Sequence, residues 1–192
     1  KEISARATDS AGNRGAAGGT LSFSLDTASP TLASAKITGS NQATFTYSEP
    51  VFSTTTDYTN IILSGGDVRT ILSATGSSTA TILLSFGGIA VATNATGTIA
   101  IGSAITDVAG NAFIATTTTV TDGQSPTASL SYSKNPVKAS DSLIITATLS
   151  EPILDSPVLA LSLFGANTLA TSTLTKVSST QYSFTHTVGA GN

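Results

Sequence analysis

The 192-residue chain has 8 Lys and Arg against 11 Asp and Glu, a net charge of −3, and only 10% charged residues. With no clustered Lys or Arg, that balance excludes a phosphate-neutralising nucleic-acid face. The absence of Cys excludes disulfides, thiolate metal sites and cysteine nucleophiles. No apolar run approaches the roughly 18 residues a membrane-spanning helix requires, and no signal peptide is visible, so an export signal is expected outside these residues. The 40% apolar fraction is enough for a core. Ser, Thr, Ala and Gly take the place of charges, a composition suited to an extended, repetitive surface protein.

Taken in chain order, the predicted elements are short strands. "LSFSL" (21–25) comes first, then "ATFTY" (43–47), where Ala43, Phe45 and Tyr47 share one face and Thr44 and Thr46 the other. "TILLSF" (81–86) and "GTIAIGSAI" (97–105) follow. "SLIITATLS" (142–150) sets Leu143, Ile145, Ala147 and Leu149 on one face. "VLALSLF" (158–164) precedes "QYSFTHTV" (181–188), with Tyr182, Phe184, His186 and Val188 in phase. Each run is bounded by Gly, Asn, Asp, Pro or Ser. No stretch sustains a helical period, so the pattern predicts an all-β, antiparallel sandwich fold. Phe45, Tyr47, Ile99, Ile101, Leu143, Ile145, Phe184 and Val188 are expected in the core. "SGGD" (64–67) and "FGGI" (86–89) read as hairpin turns, since neither precedes a helix that could cradle a phosphate.

The chain repeats itself. "TDSAGN" (8–13) returns as "TDVAGN" (106–111), "LDTASPT" (25–31) as "TDGQSPT" (121–127), and "YSEPV" from Tyr47 as "LSEPI" from Leu149. Pro30 and Pro126 stand half the 192-residue chain apart. Residues 29–123 therefore read as one complete unit, and 124–192 as the first strands of a second. Residues 1–28 read as the last strands of such a unit. Joining Asn192 to Lys1 gives "VGAGNKEISARATD", a natural strand-turn-strand. Residues 1–28 are thus expected to complete the 125–192 region of a neighbouring copy, by covalent continuity or by strand exchange between subunits.

The ordered set of motifs resembles the bacterial immunoglobulin-like repeats of S-layer proteins and large surface adhesins. Those carry F/Y-S-E-P near an early strand, D-x-A-G-N before the final strands and an Asp-Thr-x-x-Pro linker. The resemblance covers essentially the whole chain. It departs in the second linker ("DGQSP") and in the longer opening of the second unit ("SLSYSKNPVKASDSLI"). It implies immunoglobulin-like sandwiches arranged end to end, at a prokaryotic cell surface or in an extracellular filament.

Six of the 11 acids fall in the repeated motifs: Asp9, Asp26, Glu49, Asp107, Asp122 and Glu151. Hard oxygen ligands gathered at inter-domain junctions suit Ca²⁺, which takes six to eight oxygens, and the resemblance implies calcium at such junctions. The expected groupings are Asp26, Glu49 and Asp107 at one junction, and Asp122, Glu151 and a copy's Asp9 at the next. The alternative is purely conformational: Asp opens an Asx-turn, Gly supplies positive φ, and Asn tolerates the left-handed region. The prolines of "SEP" and "SPT" stiffen the junctions and limit edge pairing. His186, the sole His, reads as a hydrogen-bonded strand residue; no nucleophile elbow accompanies it, and acids that repeat in turns do not form a glycosidase pair. "NAT" at 94–96 is a glycosylation sequon, and Lys36, Lys134 and Lys176 are candidates for an isopeptide. The expected function is structural and non-enzymatic: a head-to-tail polymer of copies of itself forming a filament, sheath or S-layer. An adhesin stalk is the alternative. A carbohydrate-binding module is a further one, disfavoured by the lack of Trp.

Overall fold

The computed structural model describes residues 1–165 and 167–190. The predicted join at Asn192 lies outside the described residues. The fold is all-β: among the described residues there is no α-helix, only a 3-10 turn at Thr55–Asp57. Among the described residues no helix is long and apolar enough to cross a membrane.

The chain opens with a hairpin of β1 (Glu2–Ile3) and β2 (Leu21–Ser22). The first sandwich follows, with β3 (Leu32–Gly39), β4 (Gln42–Phe52), β5 (Ile61–Leu63), β6 (Val68–Arg69) and β7 (Ile71–Thr75). It continues through β8 (Thr79–Phe86), β9 (Gly97–Ile101), β10 (Thr106–Asp107) and β11 (Thr116–Asp122). A second set comprises β12 (Ala128–Tyr132), β13 (Ser142–Leu149), β14 (Ala160–Leu163), β15 (Leu169–Thr173), β16 (Thr175–Lys176) and β17 (Gln181–Thr187).

In the first sandwich, one sheet runs β3–β4–β8–β7, with β10 added along the end of β4. The other runs β6–β5–β9–β11. Alternation decides what lies between them. On β4, Ala43, Phe45, Tyr47 and Val51 point inward and are buried. Ile82, Leu84 and Phe86 join them from β8, and Ile61, Ile99, Ile101 and Val120 meet them from the facing sheet. Phe45 packs edge-to-face on Tyr58, ring centroids 5.6 Å apart, while the buried Tyr47 and Tyr58 hydroxyls lie 3.0 Å apart and share a hydrogen bond.

The sandwich is not wholly antiparallel as predicted. The last part of β11 leaves β9 and runs parallel to β3, pairing Thr121 with Lys36 and Asp122 with Ile37. This strand change covers the edge of β3. Gly123 continues it, its N–H donating to Ile37 O at 2.9 Å. A Cβ at Gly123 would lie 2.8 Å from Lys36 Cβ, so the close approach requires glycine. "SGGD" does close a hairpin, between β5 and β6. "FGGI" does not: β8 ends at Phe86 and the chain crosses to β9 in the other sheet. Arg69 Nη1 donates to Gly87 O and Ile89 O, and Asn41 Nδ2 donates to Phe86 O, pinning this crossover.

The second set forms a sheet β12–β13–β17–β16 and a separate hairpin β14–β15. Its core is small: Ala147, Leu149, Leu174 and Tyr182, with Ile153, Leu159, Leu161 and Phe184 packed against them. Of the predicted core, Ile145 and Val188 are buried, as are Phe45, Tyr47, Ile99 and Ile101. Leu143 and Phe184 are only half-buried. Their inward phase is as predicted, and Phe184 packs against the margin of the small core. His186 pairs with Leu143 on this same face. Against the predicted hydrogen-bonded state, its Nε2 is buried with no partner among the described residues, because the neighbours on that face are apolar.

Candidate metal centre

The SEP segment prolongs the inward phase of β4 past the end of the core. Glu49 follows Ala43, Phe45 and Tyr47 at the same parity, so its half-buried carboxylate is delivered to the rim of the sandwich. A clasp fixes this rim: Thr31 N–H donates to Ser48 Oγ at 3.0 Å, and Ser48 N–H donates to Thr31 O at 2.8 Å. The clasp holds the linker, and therefore Asp26, beside the same rim. Asp26 is itself in an Asx-turn, accepting from Ala28 N–H at 3.0 Å.

The third acid comes from the TDVAGN turn. Asp107 pairs across to Val51 through β10 and is only 1% exposed. Its Oδ1 accepts from Asn111 N–H at 2.8 Å, and its Oδ2 from Asn111 Nδ2 at 2.7 Å. Asn111 Nδ2 also reaches Asp26 O at 3.4 Å. Gly110, at φ 92°, lets the turn close. Oxygens of Asp26, Glu49 and Asp107 lie within 4.8 Å of one another. Among the described residues no other three acids gather in this way.

The electrostatics of the three differ. Burial, then the charges of Asp107 and Asp26, push Glu49 above the ordinary glutamate range. Burial also pushes Asp107 up, but donors from the Asn111 side chain and from the Asn111, Gly110 and Ala109 backbone outweigh it and leave the group below its ordinary value. One acid is thus held ionised and another resists ionising beside it. A hard divalent cation would relieve that conflict. The donor set fits one: all-oxygen and acidic, with no Cys in the chain and its single His on another strand.

The remaining predicted ligands are not gathered in this way. Asp122 and Glu151 line one cavity of about 520 Å³ with Pro126 and Pro152. Asp9 is exposed in its own turn, apart from them. Two features of the centre escaped the sequence reading: the Asn111 clamp and the Thr31–Ser48 clasp. The signal for the first was the Asn of D-x-A-G-N, which reads as a turn former until its amide is seen to bind the Asp side chain.

Replacing Asn111 with Ala removes the side-chain donor to Asp107. A depressed acid stabilises the fold above its unfolded value and loses that contribution as pH falls through its folded value. Asn111→Ala is therefore expected to lower Tm by about 5 °C at neutral pH, and to move the acid-induced loss of stability to higher pH. Thermal melts between neutral pH and the acid range check both.

The sequon's Asn94 is exposed in the loop before β9. Lys134 and Lys176 bind the carboxylates of Asp141 and Asp155 at 2.7 and 2.8 Å; Asp141 is partly buried and Asp155 exposed.

No family model matches the chain, and no curated protein matches it. Two solved structures resemble it. One is the crystal structure of the N-terminal part of the bacterial S-layer protein SbsC: 18% identity, TM-score 0.43, covering 64% of this chain and 41% of that one. The other is the crystal structure of the S-layer protein rSbsC(31-844): 17% identity, TM-score 0.44, covering 64% of this chain and 24% of that one. The chain spans less than half the length of either.

Proposed function

We propose that this chain is a structural, non-enzymatic module of a prokaryotic cell-surface or extracellular assembly, a filament, sheath or S-layer. Its immunoglobulin-like sandwiches are linked end to end, and calcium at Asp26, Glu49 and Asp107 locks the linker to the sandwich that follows it. The observation that carries this reading is the origin of the three carboxylates. One comes from the linker, one from β4 and one from the turn at β10. A cation held by all three ties a flexible connection to a rigid body, which is what a load-bearing rod needs. The low charge content and the repeated motif order point the same way.

The reading is tested on the linker. With calcium, cleavage of the full chain by a low-specificity protease between residues 26 and 31 is expected to slow about tenfold relative to chelator, since a bound ligand suppresses opening in proportion to its excess over Kd. Glu49→Gln is expected to remove the protection. Equal cleavage rates with calcium and with chelator would overturn the reading.

A further inference from the structure

The second unit repeats the rim of the first almost bond for bond. Thr127 N–H donates to Ser150 Oγ at 2.8 Å, and Ser150 N–H to Thr127 O at 2.9 Å. Asp122 Oδ1 accepts from Gln124 N–H at 2.9 Å, as Asp26 does from Ala28. Glu151 follows Ile145, Ala147 and Leu149 at the inward parity and is 7% exposed. Its Oε1 is buried with no hydrogen-bond partner among the described residues. A buried, unpartnered carboxylate oxygen is costly and calls for a counter-group. In the first unit that rim is completed by the TDVAGN turn and the strands β9 and β11 that flank it. Here no third acid joins Asp122 and Glu151.

The matching piece lies in residues 1–28. Its TDSAGN turn is the same turn. Asn13 N–H and Nδ2 donate to the two Asp9 oxygens at 2.8 and 3.0 Å, against 2.8 and 2.7 Å for Asn111 and Asp107. Thr8 bridges Arg14 as Thr106 bridges Ala112, and Gly12 has φ 88° against 92° for Gly110. The flanking strands pair Ile3 with Leu21, and Lys1 O accepts from Phe23 N–H. Ile3, Leu21, Phe23 and Leu25 therefore share one face, and all four are exposed, even Phe23 at 44%. On the corresponding hairpin of the first unit, Ile99, Ile101 and Val120 are buried. An apolar strand face without a partner and a half-covered sheet without its facing hairpin are complementary surfaces.

We propose that residues 1–28 of a second copy dock on unit 124–192 in the place that β9, β10 and β11 hold in the first unit. Docking seats Asp9 beside Asp122 and Glu151, and the Ile3, Leu21, Phe23 and Leu25 face covers Leu143 and Phe184. The second copy is either a separate chain or the next period of a longer polypeptide; the surface chemistry is the same. The docking stands without the proposed calcium reading, and only the role of Asp9 as a ligand rests on it.

Engineered thiols test this in the full chain, which has no Cys of its own. In the first unit Thr106 is the register partner of Phe52; the corresponding positions across copies are Thr8 and the exposed Leu154. Equimolar Thr8→Cys and Leu154→Cys chains under mild oxidation are expected to give a disulfide-linked product of twice the chain mass, in at least about tenfold higher yield than either variant alone. No excess over the single variants overturns the proposal. So does a double variant that closes its disulfide within one chain at high dilution. Denaturing electrophoresis of native material separates the two sources, since a separate copy runs at the chain's own mass and a longer polypeptide far above it. A cross-link whose yield ignores chelator supports docking and removes only Asp9's role as a ligand; the calcium reading at Asp26, Glu49 and Asp107 is tested separately by cleavage of the linker, so the two fail separately.

Discussion

Phe45→Ala is expected to destabilise the first sandwich by about 4 kcal/mol, whereas Phe184→Ala costs the isolated chain only about 1 kcal/mol. Both aromatic rings sit at the inward parity of a strand that is central in its sheet. Phe45 stands opposite Ala35 on one side and Ile82 on the other, is fully buried, and packs edge-on against Tyr58. Truncation opens a cavity that the flanking strands cannot close, and Tyr58 loses its ring contact. Phe184, opposite Ile145, packs at the margin of the small core and is only half-buried. Water already reaches it, so less apolar burial is lost. Denaturant unfolding followed by circular dichroism measures both: Phe45→Ala shifts the midpoint without changing the slope. Docking of a second copy is expected to raise the cost of Phe184→Ala towards that of Phe45→Ala.

Glu49→Gln is expected to change sign with calcium. In chelator, folding favours the protonated carboxyl, because burial and the charges of Asp107 and Asp26 hold Glu49 above its ordinary value. As pH rises from the ordinary glutamate range through that raised value, ionisation costs stability. Gln removes the cost, so at neutral pH the metal-free variant is expected to melt above the wild-type chain. With calcium in roughly tenfold excess over Kd, the wild-type chain gains about 5 °C and the variant little. The two melting curves therefore exchange order. A variant that is less stable under both conditions would show that Glu49 has a packing role only.

Much of the fold and of the centre was legible because both rest on local rules. Period-two alternation set the inward face of β4, β9, β13 and β17, since side-chain direction in a strand depends only on parity. Repeated motifs singled out Asp26, Glu49 and Asp107, which are far apart in sequence and meet at one rim. What was not legible depends on non-local pairing. Nothing within residues 116–122 says that β11 changes sheets; the edge of β3 decides it. "FGGI" has hairpin composition, yet Arg69 and Asn41 hold it as a crossover. The half-burial of Leu143 and Phe184 depends on which strands face them across 124–192, which no local pattern reports.

Calorimetric titration of the full chain with Ca²⁺ at neutral pH tests the central claim most directly. The account predicts saturable binding at one site per isolated chain, with a Kd in the roughly 10⁻⁴–10⁻³ M range of extracellular modules. Glu49→Gln abolishes the binding heat. No saturable heat in the wild-type chain, or binding of equal strength in Glu49→Gln, would contradict it.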